Sequence, residues 1–148
     1  MSNTPTTQTR IAASFDSQGL MKTLGARLAF VGEGEVHIEM PFSLALSQQQ
    51  GFVHAGAVTS IVDSACGYAA LTTAPAEFDV VTAEFKINFM RPALGTRFLA
   101  VGKVQSAGKL LSVCTGDVRA FTDSADSGTA YKVVAMMQAT VVNVRRAG

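Results

Sequence analysis

Apolar residues recur at two different spacings along this chain, and the two spacings predict one long helix and several strands. Over residues 55–73 apolar side chains repeat every three or four positions, as in a helix with one buried side. Over residues 34–42 the spacing changes to every second position, so that Val36, Ile38 and Met40 share one face of a half-buried strand. The chain is therefore predicted to combine helix and strand in one core.

Most of the remaining chain has strand character. Strands are predicted at 80–90, 96–105, 110–121 and 130–144, with turns at Gly95, Ala107-Gly108 and 123–128. In the first of these strands, alternation places one set of side chains on a common face: Val81, Ala83, Phe85, Ile87 and Phe89. The four strands are expected to form a meander.

The region before the first strand is divided between a tail and a short helical segment. Residues 1–10 are polar and predicted to be a disordered tail, followed by a single domain over 11–146. Residues 11–24 predict a short helix, or two helices broken near Gly19. The economical arrangement is an α+β fold, in which a five-stranded antiparallel sheet wraps around the one long helix.

The long helix carries a stripe of small residues that is interrupted by one carboxylate. The members of the stripe are spaced by four, three, four and three positions and so share one side of the helix: Gly56, Ser60, Asp63, Gly67 and Ala70. Small side chains let a second backbone approach closely. The pattern leaves two interpretations of Asp63 open, a hydrogen-bonded structural acid in tight packing or a catalytic group.

The start of the same helix is suited to stabilise negative charge. The first N–H groups of a helix lack internal partners and carry partial positive charge, so an anion or a developing oxyanion is stabilised there. Ala55 and Asp63 are eight residues apart, about 12 Å along a helix axis. One helix cannot bring both to the same carbonyl group. Two antiparallel copies can, which predicts a two-fold dimer with two shared sites.

Composition argues against several other functions. The net charge is +1, only 7% of residues are aromatic, and the basic residues do not cluster apart from Arg145-Arg146, so a nucleic-acid surface is not predicted. No apolar run approaches the roughly 18 residues of a membrane span, and the N-terminus lacks a signal-peptide core, which predicts a cytoplasmic protein. Cys66 and Cys114 are predicted to be reduced thiols, and with two histidines they show no metal-site spacing.

Three motifs occur together in this chain: the turn His54-Ala55-Gly56 with Asp63 nine positions after the histidine, the run VTAEFKINFMRPALG (81–95) and the run GKLLSV (108–113). With these motifs the chain resembles, from about residue 20 to residue 144, the hot-dog-fold acyl-CoA thioesterases, most closely the branch of the phenylacetate-pathway and 4-hydroxybenzoyl-CoA thioesterases. The resemblance implies hydrolysis of a small or medium acyl-CoA, aromatic acyl groups included. It also implies a homodimer or a tetramer of two dimers, and no cofactor.

The resemblance implies roles for individual residues. Asp63 corresponds to the catalytic carboxylate, acting as nucleophile or as general base on water, and the Ala55 N–H takes the place of the oxyanion donor. Thr82 corresponds to a Ser or Thr that assists the carboxylate within the same subunit. Gln48 lies near an upstream Asn or Gln that positions the substrate or water. His54 is expected to shape the turn, with a role as the base as the alternative.

Further residues are expected to contact the substrate. Gly56 lies in the substrate-binding turn, while Arg91 and Lys109 are the preferred contacts for the CoA phosphates, ahead of the Arg145-Arg146 tail. The acyl pocket is expected to be lined by apolar residues of the long helix and the 81–89 strand. The family glycine at position 55 is replaced by alanine, which keeps the N–H but adds a methyl group.

Two other functions remain as alternatives. A hydratase or dehydratase of the same fold would pair a carboxylate with a histidine, for which His54 is the candidate. A non-catalytic acyl-CoA binding or sensor protein would keep the pocket without the chemistry. Other hydrolase types are disfavoured, since the chain has no G-x-S-x-G motif and Cys66, one turn after Asp63, lacks a histidine partner.

Overall fold

The chain folds as one long helix against a single antiparallel sheet, and a computed structural model describes residues 6–122 and 130–147. The helices are α1 (Thr7–Asp16), α2 (Gly19–Thr23) and α3 (Ala55–Thr73), with a 3-10 turn at Leu44–Leu46. The strands are β1 (Arg27–Gly32), β2 (Glu35–Pro41), β3 (Phe78–Phe89), β4 (Arg97–Ala107), β5 (Leu111–Phe121) and β6 (Lys132–Arg145). None of the described helices is long and apolar enough to span a membrane.

The sheet has six strands in the order β1-β2-β4-β5-β6-β3, and α3 packs across them. The predicted α+β layout around one long helix is confirmed, but the number of strands is wrong, because β1 was not predicted. β1 is a short edge strand, and an irregularity between Leu28 and Phe30 interrupts its alternation. A local bulge of this kind removes the period-two signal from which a strand is predicted.

The predicted meander of the last four strands is also wrong in one connection. β3 pairs with β6, whereas β4 pairs with β2 on the other side of the sheet. The segment between β3 and β4 contains Pro92 and is no hairpin turn; instead, the Ala93 carbonyl accepts the Val53 N–H at 3.2 Å. The chain thus crosses beside the start of α3, which leaves β3 at the edge of the sheet.

A bulge in β3 decides which side chains face the helix. The register shifts between Thr82 and Glu84, which leaves Ala83 without a partner. Thr82 consequently pairs with buried Val141, and the side chain of Thr82 faces α3, whereas Val81 is 57% exposed on the opposite side. The predicted common face of Val81, Ala83, Phe85, Ile87 and Phe89 is therefore wrong, because the alternation changes sides at the bulge.

Two helices, rather than one, occupy the N-terminal region, with the break at Ser17–Gln18. The predicted tail is too long, since α1 begins at Thr7, where the Thr6 hydroxyl accepts the Thr9 N–H. Arg10 further ties α1 to β3 through Phe78 and Asp79. Residues 1–5 of the predicted tail and the predicted turn at 123–128 lie outside the described residues.

Two strand glycines allow α3 to lie directly on the sheet. A Cβ atom at Gly102 of β4 would come within 2.4 Å of the Ala65 backbone, and one at Gly116 of β5 would come within 2.6 Å of the Val62 side chain. The core therefore lies between this side of α3 and the concave side of the sheet. Its members from α3 include Val58, Ile61, Val62, Ala65, Cys66 and Ala69.

Candidate active site

The start of α3 is fixed by a histidine cap that leaves one amide free. His54 is the N-cap, and its Nδ1 accepts the Gly56 N–H at 2.8 Å. Because Nδ1 is an acceptor, the proton of the neutral ring belongs on Nε2. The Gly56 amide, predicted to contact substrate, is thus already paired. The neighbouring Ala55 N–H donates to none of the residues that the structure describes.

The loop before α3 holds this cap in place. The His54 N–H donates to the Leu46 carbonyl at 2.8 Å, and Ser47 pairs with Val53 in an isolated bridge. Between them the chain turns tightly at Gly51, whose φ of 90° lies in the left-handed region that favours glycine. These backbone contacts of the loop therefore fix the position of the Ala55 amide.

A cavity of about 400 Å³ opens at this helix start, and we call it the helix-start cavity. Its apolar wall includes Val58 of α3 and Phe89 of β3, the two elements between which the acyl pocket is predicted. Among the described residues that line it, Arg91 is the one Lys or Arg, and none is an Asp or Glu. Its full lining is Gln48, Gln49, Gln50, Phe52, Val53, His54, Ala55, Val58, Phe89, Arg91, Pro92, Ala93 and Val134.

Gln48 lies in the helix-start cavity and closes the turn that precedes α3. Its side-chain carbonyl accepts the Gln50 N–H, and its amide nitrogen donates to Gln50 Oε1 at 3.1 Å. Its backbone N–H donates to the Phe52 carbonyl at 2.8 Å. The carboxamide thus holds the loop and would reach a substrate only by giving up its contact with Gln50.

Asp63 lies in the middle of α3 and is paired with Thr82. The Thr82 hydroxyl donates to Asp63 Oδ1 at 2.8 Å, a contact that the bulge at Ala83 makes possible. Asp63 is half-buried, as are Ser60 and Gly67 on the same stripe. A Cβ atom at Gly67 would meet no described atom within 4 Å. From Gly56 to Gly67 the stripe therefore forms an open side of the helix, whereas its last member, Ala70, is fully buried.

A second cavity, of about 330 Å³, lies beside this pair, and we call it the Asp63 cavity. It is mostly polar, because α1 and the α1–α2 junction contribute Ser14 and Gln18 to its wall. Neither residue was predicted, since only tertiary packing brings them to this cavity, and Tyr68 of α3 was not predicted either. The lining consists of Ser14, Gln18, Asp63, Ser64, Gly67, Tyr68, Leu71, Asp79, Val80 and Thr82.

The predicted phosphate contacts lie in different places. Arg91 lines the helix-start cavity, and its guanidinium donates to the Val133 carbonyl at 3.0 Å. Lys109 is exposed at the tip between β4 and β5 and lines neither of these two cavities. Arg146 pairs with Asp79 at 3.2 Å, beside the Asp63 cavity. Of the predicted cations, only Arg91 lines the same cavity as Ala55.

The two cysteines are unsuited to nucleophilic chemistry. Cys66 and Cys114 are free thiols with no exposed surface. Burial raises the pKa of Cys66 far above its usual range and that of Cys114 to about 11, so neither forms a thiolate at neutral pH. Among the described residues no three His, Cys, Asp or Glu side chains are grouped to hold a metal ion.

Known proteins match both the sequence and the fold. The model of the Thioesterase superfamily matches residues 50–125. A thioesterase family protein of Silicibacter pomeroyi has 40% sequence identity and a TM-score of 0.89, covering 95% of this chain and 99% of its own. A curated protein of Saccharolobus solfataricus, named as a proposed esterase, is 33% identical over 94 residues, which are 64% of this chain and 66% of that protein. The PaaI protein of the phenylacetic acid degradation operon of Escherichia coli, at 20% identity and a TM-score of 0.79, shares the fold over 96% of this chain and 94% of its own.

The fold and these matches define the class of the protein as a hot-dog-fold hydrolase. The chain belongs to the Thioesterase superfamily. The predicted resemblance and the predicted class of enzyme, a thioester hydrolase, are thereby confirmed.

Proposed function

We propose that the protein is an acyl-CoA thioesterase that hydrolyses a small or medium acyl-CoA, aromatic acyl groups included, in sites shared by two subunits. One observation carries the proposal: Asp63, which accepts the Thr82 hydroxyl of β3, and the free Ala55 N–H belong to one helix but line two different cavities. Eight residues separate them, about 12 Å along the axis. A carbonyl group that needs both must therefore receive them from different chains.

A second copy of the chain fits the surfaces left open on this one. β3 is an edge strand with one unpaired side, and Val81, Phe85 and Phe89 on it are all more than 40% exposed. An apolar edge strand of this length invites pairing with another strand. Pairing two β3 strands about a two-fold axis would set the two α3 helices antiparallel. The small stripe would then allow the start of one helix to approach the middle of the other.

The chemistry follows from the two groups that meet in such a dimer. The Thr82 hydroxyl occupies Oδ1 of Asp63, which leaves Oδ2 to attack the thioester carbonyl or to take a proton from an attacking water. As the carbonyl oxygen gains negative charge, the partner's Ala55 N–H and the helix dipole stabilise it. CoA departs as the thiolate. If Asp63 attacks directly, the product is an acyl anhydride with Asp63 that water then hydrolyses, whereas activated water gives the free acid in one displacement. No step requires a metal or cofactor.

The alanine at position 55 is compatible with this role. All described residues with positive φ are glycines, so Ala55 has an ordinary backbone and its N–H keeps the direction of a first helical turn. Its methyl group adds bulk beside the amide without removing the donor. The helix-start cavity also offers Arg91 to a CoA phosphate, and none of the described residues that line it is acidic. Lys109 would have to reach the CoA from the β4–β5 tip.

The first experiment measures thiol release from acetyl-, hexanoyl-, decanoyl-, phenylacetyl- and 4-hydroxybenzoyl-CoA by the purified protein. We expect turnover of at least one class and a fall in kcat of about 100-fold or more in Asp63→Asn, because the amide cannot attack or accept a proton. Binding of acyl-CoA without turnover by either protein would instead favour the non-catalytic binding function.

The shared site is tested with a second variant, Ala55→Pro. Proline is well tolerated at the first helical position, and His54, with ψ of 139°, already has the backbone that precedes proline, so the change removes little more than the N–H. We expect kcat to fall by about 10²–10³, while Ala55→Gly keeps the donor and the activity.

Mixing the two inactive variants then distinguishes shared sites from separate ones. A mixed dimer of Asp63→Asn and Ala55→Pro subunits has one intact site and one that lacks both groups. Random mixing should therefore restore about a quarter of the wild-type activity. Sites contained within one subunit would show no recovery, which would contradict the shared arrangement.

A further inference from the structure

Helix α1 connects the two opposite edges of the sheet. The edge strands are β1 and β3, and α1 makes a hydrogen bond to a carbonyl group of each. Gln8 Nε2 donates to the Val31 carbonyl of β1 at 3.2 Å, and the Arg10 guanidinium donates to the Phe78 carbonyl of β3. Arg10 also pairs with Asp79 of β3 at 3.4 Å. Helix α1 therefore spans the gap between the two edges of the curled sheet.

The Asp63 cavity runs along α3 and β3 and ends beneath α1. Its near end is the contact between Asp63 and Thr82. On α3, Leu71 lines the far end, eight residues after Asp63, which is about 12 Å along the helix axis. On β3, Asp79 lines it, three residues before Thr82, which is about 10 Å along the strand. Because Asp79 is the partner of Arg10, the tie between α1 and β3 lies across the far end of the cavity.

The polar side chains of the cavity wall are paired with one another. Gln18 Nε2 donates to the Tyr68 hydroxyl at 2.7 Å, and Ser14 Oγ lies 3.1 Å from the same hydroxyl. An apolar chain therefore lies beside these groups without leaving them unpaired. Leu71 and Val80 supply apolar contacts along the same cavity. The wall thus accepts an acyl chain as far as the point where α1 meets β3.

The Arg10 side chain is 15% exposed and acts through the groups that it joins, since it does not itself line the cavity. We infer that Arg10 is a positioning residue for specificity, which ties α1 to β3 and so limits the length of the acyl chain that the enzyme accepts. The inference rests on the proposed function, which places the thioester carbonyl at Asp63 and gives the partner's helix-start cavity to CoA. The acyl chain is then left the cavity that ends at α1.

The test compares hexanoyl-CoA with dodecanoyl-CoA, whose extended acyl chains are respectively shorter and longer than the cavity. We expect the wild type to have a kcat/KM about tenfold or more higher for hexanoyl-CoA, and Arg10→Ala to reduce that ratio to about twofold or less, because truncation opens a gap between α1 and β3. Arg10→Lys keeps a cation beside Asp79 and should keep most of the preference. A loss of folded enzyme would lower both rates equally and leave the ratio unchanged.

The matched control is Gln8→Ala, which removes the tie of α1 to the other edge of the sheet. Gln8 bonds to β1 and does not line the Asp63 cavity, so the ratio should stay at the wild-type value. Ile11 and Phe15 hold α1 in the core, and Arg10→Ala is therefore expected to fold. Ser14→Leu decides the question if it does not. The added bulk fills the cavity from α1 and should lower kcat/KM for hexanoyl-CoA about tenfold relative to acetyl-CoA.

Dissociation constants for both thioesters, measured on Asp63→Asn with and without Arg10→Ala, separate this inference from the proposed function. Weaker binding of dodecanoyl-CoA that Arg10→Ala relieves supports the length limit even if the wild type hydrolyses neither compound, in which case only the thioesterase proposal fails. A preference for hexanoyl-CoA that is unchanged by Arg10→Ala, in both kcat/KM and affinity, overturns the role of Arg10 and leaves the thioesterase intact. Equal kcat/KM values for both thioesters in the wild type also overturn it, since the acyl chain would then not end at α1.

Discussion

The two sides of α3 differ in what surrounds them, although they belong to one helix. The side that faces the sheet is fully buried, and Val62 and Cys66 lie against a strand glycine. The side that carries Asp63 is half-buried, and a Cβ atom added at Gly67 would contact no described atom. The first side is complete within one chain and determines the fold. The second side is left open, and it carries the carboxylate that the proposed hydrolysis uses.

Adding one methyl group to each side of α3 should have opposite effects on stability. At Gly102 the new Cβ would lie 2.4 Å from the Ala65 backbone, so Gly102→Ala should push α3 off the sheet and lower the free energy of unfolding by about 3 kcal/mol or more. At Gly67 the same change meets no described atom and favours helix by about 1 kcal/mol. Chemical denaturation of the two variants measures both effects.

The Gly67→Ala variant also tests whether the open side of α3 is a contact between subunits. If a partner's backbone approaches the small stripe, Gly67→Ala should weaken the dimer in sedimentation experiments even though it favours the helix of each chain. A Gly67→Ala variant that associates as the wild type does would show that the open side of α3 is not the contact between subunits.

Removing the contact between Asp63 and the edge strand β3 should lower the activity but leave the stability nearly unchanged. Thr82→Val keeps the shape of the side chain but removes the hydroxyl that holds Oδ1, so we expect kcat to fall about 10- to 100-fold with little change in stability. Thr82→Ser retains the hydroxyl and should retain most of the activity. Steady-state thiol release measures both. Equal rates for the valine and serine variants would mean that the contact does not assist the carboxylate.

The site was predictable where it depends on residue types and spacing, and less so where it depends on backbone irregularity. The turn at His54 and the position of Asp63 on a long helix were both predicted from the sequence. Strict alternation would have turned Thr82 away from the helix, and only the bulge at Ala83 turns it back. No local signal marks that bulge, because an unpaired alanine in a strand has no distinctive sequence.

Contacts between distant segments were the least predictable. Ser14 and Gln18 reach Tyr68 across 54 and 50 positions of the chain, and they make the Asp63 cavity largely polar. Ser14 lies in α1 and Gln18 just before α2, two short helices that place Phe15 and Met21 in the core. Periodicity predicts that such residues are buried, but it does not indicate which polar neighbours follow them into the interior.

Substitutions of His54, at the start of α3, should affect stability slightly and activity hardly at all. His54 caps the helix through Nδ1, an acceptor that asparagine can replace at the same position. His54→Ala should therefore lower the free energy of unfolding by about 1 kcal/mol, while His54→Asn should retain most of the stability and the activity. Thermal denaturation and thiol release together check both. If His54 were the catalytic base, asparagine would not replace it, and kcat would fall by about 10²–10⁴ in both variants. The Nδ1 lone pair is already engaged with Gly56, and Nε2 then carries the proton, so we expect the asparagine variant to remain active. Activity in that variant would leave Asp63 as the group that attacks the thioester carbonyl or activates water.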